Sequence, residues 1–451
     1  MMKKNLKFLK KAVPTFSRSM QLTKRIGLAA SLVVLPLVGC GGGSNEGTGS
    51  STSPSAPTIT AQPANLTVIE LQPASFSVTA AGGGSLTYQW KRNGTPLAGA
   101  TSSTLTISST LPADHNAKYS AVVTNSAGSV ASAAAELTQD LPMFLMAGQS
   151  NMEGNVDEKL FQQILADLAS GTDTETTKIN LAARIKAWTN VEGKKYGYSD
   201  PMAALEASEL VRLNAAGLVG ANLTKPDPKV FCSWNDSVVI PLKAAPVETP
   251  KRCSNTAGPE LVFGQALSKA GYSTTSLIKV AYGGTSLYAD WRSPLMGGTP
   301  SDKKLYEKLN ARIGSLKSDP ASVNAACKTR NCKWSAFVWF QGEKDAETVF
   351  APQYEENLKK FIANVRADVG SPNLPVVIVQ VGAWAQSLNY NKGVAVSNAQ
   401  TAVVEADKYA RIVKTDDLSG FFHYDPAAQL IIGERVSLAV KSLLAAAPSP
   451  R

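Results

Sequence analysis

Short apolar segments alternate with helical segments across the last two thirds of the chain, and this alternation limits the fold more than any other feature. Five strand candidates, each of five to seven residues, are Met143–Ala147, Thr275–Ala281, Ser335–Phe340, Pro375–Val381 and Ala410–Lys414. The helical candidates are Pro259–Ala270, Leu305–Leu316, Pro352–Val369, Asn398–Lys408 and Pro426–Ala446. Apolar strands that alternate with helices are typical of a parallel sheet covered on both faces. We therefore predict a three-layer α/β/α domain at residues 140–448.

The first predicted strand ends in a polar turn, Gly148-Gln-Ser-Asn-Met-Glu-Gly154. A serine that follows a central strand on a glycine-containing turn exposes its hydroxyl, and nearby backbone N–H groups can bind a developing oxyanion. Ser150 is therefore a candidate nucleophile. The alternative is a polar turn after a strand with no catalytic role. The residues at the other strand ends decide between these two interpretations.

Three further polar clusters follow predicted strands or precede the last helix: Ala281-Tyr-Gly-Gly-Thr-Ser286, Trp339-Phe-Gln-Gly-Glu-Lys-Asp345 and Gly420-Phe-Phe-His-Tyr-Asp425. Open α/β sheets bind their ligands at the carboxyl ends of the strands. The first cluster can present a backbone N–H at Gly284 or Gly283. The second carries the Gln341 amide and the Glu343 carboxyl. The chain has two histidines, so His423 is the candidate base here, and a metal site with several histidine ligands is excluded.

Basic and apolar residues are separated at the N-terminus. Residues 1–39 contain eight Lys or Arg and no Asp or Glu, and they end in an apolar run of 14 residues. That run is shorter than the roughly 20 residues that span a bilayer. We interpret residues 1–39 as an export signal, with its start at Met1 or Met20, and residues 40–57 as a flexible tether. The remaining chain has 37 basic and 35 acidic residues, which gives no reason to expect nucleic-acid binding.

The five cysteines fit an exported protein. Cys40 follows Leu37-Val-Gly39 and resembles the lipid-attachment cysteine of bacterial lipoproteins, which implies a lipid anchor in the cell envelope, at the outer membrane. An ordinary secretory signal is the alternative. The other four form an even set that is typical of disulfides in an oxidising compartment. We predict the pairs Cys232–Cys253 and Cys327–Cys332, because each closes a short loop, with four unpaired buried thiols as the alternative.

Residues 58–138 have short alternating runs separated by turn residues, which is typical of an all-β domain. The segment from Asp114 to Tyr119 is similar to the tyrosine corner of immunoglobulin domains, and Trp90 to their core tryptophan. The cysteine pair of antibody domains is replaced by Phe76 or Val78 and by Ala121. We predict a small immunoglobulin-like β-sandwich that either acts as a spacer or binds a glycan.

The ordered blocks of the α/β domain resemble the SGNH-hydrolase superfamily, in particular its sialate O-acetylesterase and carbohydrate esterase family 6 branch. The blocks are Gly148-Gln-Ser-Asn-Met152, Gly258-Pro-Glu260, Gly283-Gly-Thr285, Gln341-Gly-Glu-Lys-Asp345 and His423-Tyr424 with Gly433-Glu-Arg435. The resemblance implies a serine esterase that removes acetyl groups from sugars without a metal or another cofactor. Ser150 would be the nucleophile and His423 the base. The oxyanion hole would combine the N–H groups of Ser150 and Gly284 with the Gln341 side chain.

Two positions depart from the family pattern. Gly420 lies three residues before the histidine, where the superfamily usually has an aspartate, and Phe340 precedes Gln341, where the branch often has a histidine. A neutral imidazole needs an acceptor for its Nδ1–H, and Gly420 supplies none. We expect Glu343 to be this acceptor, because it lies at a neighbouring strand end. Asp417, or a water or backbone acceptor, is the alternative.

Two other functions share these features. A lipase or thioesterase on the same fold would need an apolar acyl channel, whereas the aromatic residues near the blocks suit sugar stacking: Tyr282, Tyr288, Trp291, Trp339 and Trp384. A glycan-binding lipoprotein with an inactive esterase fold is the second alternative, although the intact Ser150 and His423 argue against it. We expect a monomeric acetylesterase of the acetylxylan or sialate type that acts on acetylated oligo- or polysaccharides at the cell surface or in the periplasm.

Overall fold

The computed structural model describes residues 54–154, 258–272, 275–301, 303–382, 392–418 and 423–446, with short pieces between residues 163 and 241. The predicted signal and the lipid site at Cys40 lie outside the described residues, as do Cys232, Cys253, Trp384 and Gly420. Within the described part of the chain, no helix is both long enough and apolar enough to cross a bilayer.

The first domain, here called the sandwich domain, consists of β-strands. These are β1 (Thr58–Ala61), β2 (Leu66–Ile69), β3 (Ala74–Ser77), β4 (Thr79–Ala81), β5 (Thr87–Arg92), β6 (Thr95–Pro96), β7 (Thr104–Ile107), β8 (Ala117–Asn125) and β9 (Gly128–Ala131). Trp90 is fully buried, and the Tyr119 hydroxyl donates to Asp114 Oδ1 at 3.1 Å. The predicted core tryptophan and tyrosine corner are therefore confirmed. Phe76 stacks on Tyr119 with ring centroids 4.8 Å apart, and Val78 and Ala121 are buried beside it.

One strand joins the two domains. β10 (Ala135–Gly148) pairs with β2 and β8 of the sandwich domain over residues 135–140 and with strands of the second domain over residues 141–148. Its burial alternates as far as Asp140 and is continuous from Leu141 onward. The pattern changes because the first half has one face on the sandwich core, whereas the second half is covered on both faces. The domain boundary, predicted between residues 138 and 140, therefore lies within a strand.

The second domain, the α/β domain, contains a sheet in the order β11-β12-β10-β13-β14-β15. Its further strands are β11 (Val238–Pro241), β12 (Ser276–Ala281), β13 (Cys332–Phe340), β14 (Val376–Val379) and β15 (Ala410–Val413). Neighbouring strands are parallel except β11, which is antiparallel to β12. The five predicted strands are present, and the antiparallel edge strand β11 was not predicted.

Two groups of helices cover this sheet. The described helices are α1 (Ser150–Glu153), α2 (Glu260–Lys269), α3 (Leu305–Ser318), α4 (Glu343–Ala346), α5 (Tyr354–Val369), α6 (Gly393–Glu405) and α7 (Pro426–Ala445). α2 packs on α7, and α5 packs on α3 and α6. α5 buries Leu358, Phe361 and Val365 on one face, the spacing of an amphipathic helix. The three-layer α/β/α prediction is confirmed.

The disulfide-closed loop of the α/β domain contacts the sandwich domain. The predicted disulfide Cys327–Cys332 is present. Within its loop, Arg330 pairs with the buried carboxylate of Glu70 at 2.7 Å and donates to the Gln139 carbonyl at 3.0 and 2.9 Å. A buried carboxylate needs such a partner. The loop therefore fastens the α/β domain to β2 and β10 of the sandwich domain.

A second contact joins the domains on another element. The Tyr272 hydroxyl, just after α2, donates to the Thr110 carbonyl of the sandwich domain at 2.8 Å. Leu71, from the loop after β2, is buried in the hydrophobic core of the α/β domain. The two domains are thus joined by a shared strand, an ion pair and packed side chains.

Candidate active site

The nucleophile turn, residues 148–154, begins where β10 ends. A Cβ at Gly148 would collide with the Phe340 carbonyl of β13, so only glycine allows the two strands to come this close. The Gln149 N–H donates to that Phe340 carbonyl at 3.1 Å, and the Tyr282 N–H donates to the Gly148 carbonyl at 3.0 Å. The turn is therefore held by both strands that flank β10.

Ser150 begins the single helical turn α1. Gly154 ends it in a left-handed conformation with φ 88°, and its N–H donates to the Ser150 carbonyl at 2.9 Å. Asn151 and Met152 are fully buried, whereas Ser150 keeps an exposed fraction of 7%. Ser150 is thus the least buried of the first three helical residues.

Asn151 connects the turn at Ser150 to the segments that carry Glu343 and His423. Its Nδ2 donates to Glu343 Oε1 at 2.5 Å, and its Oδ1 accepts the Tyr424 N–H at 3.0 Å. Its carbonyl accepts from Gln429 Nε2 at 3.1 Å. The residue after Ser150 is therefore bonded to the residue after His423. Sequence analysis missed this role, although a polar residue between Ser150 and an apolar Met152 was a signal of a buried amide.

His423 is placed by the residues that follow it. The Tyr424 hydroxyl hydrogen bonds Thr415 Oγ1 at 2.6 Å, and Asp425 caps α7 by accepting the Ala428 N–H at 2.9 Å. Burial lowers the pKa of the His423 imidazole, so the ring is neutral at pH 7 and can accept a proton. In the described residues, no hydrogen bond joins its ring to Ser150 or to a carboxylate, so the orientation of the ring stays a prediction.

The two candidate orienting acids are in different environments. Asp417 forms an ion pair with both terminal nitrogens of Arg435, and this guanidinium lowers the pKa of Asp417. Glu343 is buried, and burial raises the pKa of its carboxyl to about 7, with the Asn151 amide acting in the opposite direction. Its Oε2 has no hydrogen-bond partner within the described residues. Of the two, Glu343 is the acid with a carboxyl oxygen available for a further partner.

Backbone N–H groups suited to an oxyanion lie at the ends of β10 and β12. Gly283 lies against the nucleophile, since a Cβ there would be 3.5 Å from Ser150 Cβ. The Gly283 backbone also lies beside the Glu153 carboxylate, since the same Cβ would be 3.2 Å from Glu153 Oε2. In the described part of the chain, the N–H groups of Ser150 and Gly284 have no protein acceptor. Unpaired N–H groups beside a serine hydroxyl can stabilise the negative charge of a tetrahedral intermediate.

The Gln341 amide is already engaged. Its Nε2 carries two hydrogens and lies 2.7 Å from Asp345 Oδ2, 2.8 Å from the Thr285 carbonyl and 3.2 Å from Gln149 Oε1. Donation to an oxyanion, as predicted, would require one of these bonds to be exchanged. Asp345 also accepts the Leu287 N–H at 2.7 Å, and burial raises its pKa to about 6. The amide and this acid therefore anchor the loop that follows Gly284.

Two of the aromatic residues that were predicted to stack on sugars lie in the hydrophobic core. Trp291 and Trp339 are fully buried and pack edge to face with ring centroids 5.3 Å apart, so the prediction that they stack on sugars is wrong. Their apolar rings fill the space between the sheet and α5. Tyr288 stacks on Phe350 at 3.8 Å and has the Arg292 guanidinium 4.5 Å from its ring centroid.

Two family models match the chain. Residues 218–442 match the family described as carbohydrate esterase, sialic acid-specific acetylesterase. The chain carries a carbohydrate esterase domain of this family. Residues 56–125 match an immunoglobulin domain. The esterase match begins after the nucleophile turn, so the placement of Ser150 in the site depends on the structure.

The esterase and immunoglobulin domains resemble several known proteins. An Arabidopsis thaliana protein named as a probable carbohydrate esterase is 24% identical over 191 residues, which cover 42% of this chain and 64% of the plant protein. Endoglucanase C of Cellulomonas fimi is 42% identical over 89 residues, or 19% of this chain and 8% of that protein. A solved carbohydrate acetylesterase from Xanthomonas citri aligns with 86% of this chain and 75% of its own, with 15% identity and a TM-score of 0.39.

Proposed function

We propose that this protein is a serine esterase that removes O-acetyl groups from carbohydrates, with Ser150 as nucleophile and His423 as base. One observation carries the proposal: Ser150 lies against Gly283, where a Cβ would be 3.5 Å from Ser150 Cβ, and the N–H groups of Ser150 and Gly284 have no acceptor among the described residues. The family match supplies the substrate class, a carbohydrate ester.

The proposed reaction has two halves. In the first, neutral His423 accepts the Ser150 hydroxyl proton while Oγ attacks the acetyl carbonyl carbon, and the two N–H groups bind the oxyanion. His423 then protonates the sugar oxygen as it leaves, and an acetyl-serine remains. In the second half, His423 deprotonates a water molecule that attacks the acetyl carbonyl, and acetate leaves as the proton returns to Ser150. No metal takes part in these steps.

Glu343 is the proposed partner of the His423 Nδ1–H. Its unpaired Oε2 supports this assignment, and its Oε1 is tied through Asn151 to the backbone next to His423. A carboxylate acceptor stabilises the imidazolium that forms when the serine loses its proton. The raised pKa of Glu343, about 7, means that this acceptor is fully ionised only above neutral pH.

The test compares Ser150→Ala, His423→Ala and the double variant on p-nitrophenyl acetate and acetylated oligosaccharides. Each single change should lower kcat by about 10³-fold or more, and the double change should add little, because the two residues act as a unit. Activity of Ser150→Ala within tenfold of the unchanged protein would remove Ser150 from the mechanism. Faster turnover of long-chain than of acetyl esters would favour a lipase or thioesterase instead.

The polysaccharide is proposed to be an acetylated xylan or a sialylated glycan. Acetate release from acetylated xylan, O-acetylated sialosides and acetylated pectin, measured side by side, ranks these substrates. Negligible release from all three, together with good turnover of p-nitrophenyl acetate, would contradict this substrate assignment while leaving the esterase mechanism in place.

The proposed location is the cell envelope, through a lipid on Cys40. Small residues before that cysteine and the basic, apolar residues 1–39 support this proposal. Cys40→Ser should release the protein from membranes, because anchoring by a lipid depends on that thiol. A variant that still sediments with membranes after a carbonate wash would contradict the lipoprotein assignment.

A further inference from the structure

Lys279 is a charged residue inside a buried strand. Its side chain is 2% exposed, and it interrupts the apolar sequence of β12. Its Nζ lies 2.7 Å from Glu260 Oε1 and 3.0 Å from the Glu153 carbonyl oxygen. An ammonium group is buried at a large free-energy cost unless it is paired and hydrogen bonded. The arrangement of these partners therefore explains why a lysine is tolerated in this strand.

The three partners come from three different elements of the site. Glu153 is the last residue of α1, the helical turn that begins with Ser150, and Glu260 is the first residue of α2. Lys279 lies in β12, which leads directly into Gly283 and Gly284. A cation at the carbonyl end of a helical turn is electrostatically favourable. The lysine thus connects the end of the nucleophile turn to the strand that carries the oxyanion loop.

The Glu153 side chain makes a second connection between the same two segments. Burial raises the pKa of its carboxyl, while the Lys279 charge and the Gly283 backbone act in the opposite direction. A Cβ placed on Gly283 would lie 3.2 Å from Glu153 Oε2 and 3.5 Å from Ser150 Cβ. Glu153 therefore accepts from Lys279 of β12 with its carbonyl, and its carboxylate lies beside the oxyanion loop.

Two sequence blocks without a catalytic role complete this support. The Gly258 N–H donates to Glu260 Oε1 at 3.3 Å, and a Cβ on Gly258 would lie 3.1 Å from the Met152 carbonyl oxygen. In α7, a Cβ on Gly433 would collide with the Pro259 carbonyl. Both glycines thus allow the segment that carries Glu260 to pack tightly between the nucleophile turn and α7.

We propose that Glu153 and Lys279 are positioning residues for the esterase reaction. Together with Glu260 they set the separation between the Ser150 hydroxyl and the Gly284 N–H, so they determine how well the oxyanion is bound when Oγ attacks. The proposal rests on the serine-esterase function given above. A displacement of about 1 Å between a nucleophile and its supporting groups can reduce the rate about 10²-fold.

The first comparison is Glu153→Ala against Glu153→Gln, assayed on p-nitrophenyl acetate and by the rate of covalent labelling with a fluorophosphonate. The alanine variant should lose about 10- to 100-fold in kcat with KM within twofold, and its labelling should slow to the same extent. The glutamine variant keeps an oxygen that can accept from Gly283, so it should retain kcat within about threefold. Thermal unfolding midpoints should differ little between the two variants.

The second comparison removes the buried charge pair. Lys279→Met alone leaves Glu260 buried without its cation, and this variant is expected to fold poorly. The double variant Lys279→Met/Glu260→Gln has no buried charge, so it should fold, yet it lacks the bond to the Glu153 carbonyl and should lose about tenfold in kcat. The exposed pair Glu355 and Lys359 on α5 gives the matched control, Glu355→Gln/Lys359→Met, which should retain full activity.

The outcomes separate the two levels of the proposal. Suppose that the unchanged protein is active and that Glu153→Ala and the double variant both keep kcat within twofold of it. The positioning role is then wrong, and the proposed esterase function stands. Equal losses in Glu153→Ala and Glu153→Gln would also contradict the positioning role, because the hydrogen-bond acceptor would then not be what matters. An unchanged protein that neither hydrolyses the ester nor reacts with the fluorophosphonate would overturn the proposed function and this inference with it.

Discussion

Arg435 binds both carboxylate oxygens of Asp417, with Nη1–Oδ1 and Nη2–Oδ2 distances of 2.7 and 2.6 Å. This bidentate pair occupies the acid that precedes His423 most closely in the sequence. Bidentate pairs between arginine and a carboxylate are among the stronger ion pairs in proteins. Glu343, in contrast, keeps one buried oxygen without a partner in the described residues. The two acids should therefore respond differently to loss of their charge.

Glu343→Gln should lower kcat on an acetyl ester by about 10²–10⁴-fold, because His423 loses its carboxylate acceptor. Asp417→Asn should leave kcat within about threefold and act mainly on stability through Arg435. Steady-state kinetics on p-nitrophenyl acetate measures both variants. A severe loss in Asp417→Asn with a nearly silent Glu343→Gln would reverse the assignment of the orienting acid.

The free energy of unfolding should decrease as pH rises through the range in which Glu343 titrates. Burial raises the pKa of this carboxyl from 4.5 to about 7, so the folded state favours the protonated form. The resulting stabilisation is present below pH 4.5 and is lost as pH rises through 7. Glu343→Gln cannot ionise, so its unfolding free energy should fall less between pH 5 and pH 8, by on the order of 2 kcal/mol.

Urea unfolding of the unchanged protein and of Glu343→Gln at several pH values between 5 and 8 measures this difference. Glu355→Gln, at an exposed position on α5, is the control and should keep the pH dependence of the unchanged protein. Parallel pH profiles for Glu343→Gln and the unchanged protein would show that Glu343 does not titrate in this range.

Gly283 and Gly284 should differ in what an alanine costs. At Gly283 the new Cβ would lie 3.2 Å from Glu153 Oε2 and 3.5 Å from Ser150 Cβ, so Gly283→Ala should displace the nucleophile turn and lower kcat about tenfold. At Gly284 the space is open but φ is 66°. Gly284→Ala should therefore cost about 1 kcal/mol of stability with a smaller loss of kcat. Kinetics and thermal unfolding of the two variants test this, and a larger kcat loss at Gly284 would contradict it.

Arg330→Met should destabilise the whole unit by about 3 kcal/mol, because it leaves the Glu70 carboxylate buried without its cation. Adding Glu70→Leu should restore most of that loss, since no buried charge then remains. Calorimetry of the unchanged protein should give one transition for the two joined domains. Two separate transitions in the unchanged protein would show that the interdomain contacts contribute little.

The three layers and the five main strands of the α/β domain were predictable because burial leaves a direct trace in the sequence. Runs such as Met143–Ala147 are apolar on both faces, and only a strand between two helix layers needs that pattern. The boundary between the domains was predicted from the change from short alternating runs before residue 138 to the apolar run Met143–Ala147. This change of pattern could not show that one strand crosses the boundary, because a turn and an uninterrupted strand are both compatible with it. β11 was missed because Val238–Pro241 lies within a long segment of mixed pattern.

The residues of the candidate site could be chosen from the sequence by their type and position, but their hydrogen-bond partners could not. Ser150 and Gly284 follow strand ends, where spacing alone indicates a role. Amides are different, since each has two donors and an acceptor and only its neighbours in space decide which are used. The roles of Asn151 and Gln341 therefore needed the structure. Trp339 illustrates the same limit for aromatic rings, because a tryptophan beside a catalytic block suits both a core and a binding surface.

β10 connects the immunoglobulin domain directly to the turn that carries Ser150. The strand that pairs with its β2 and β8 ends at Gly148, two residues before Ser150, and the Arg330–Glu70 ion pair adds a contact between the two domains. The immunoglobulin domain and the candidate nucleophile Ser150 are therefore connected by one continuous strand, so a reorientation of that domain acts directly on the turn that carries Ser150. Under the proposed esterase function, a partner that binds the immunoglobulin domain would also set the direction from which a polysaccharide reaches Ser150.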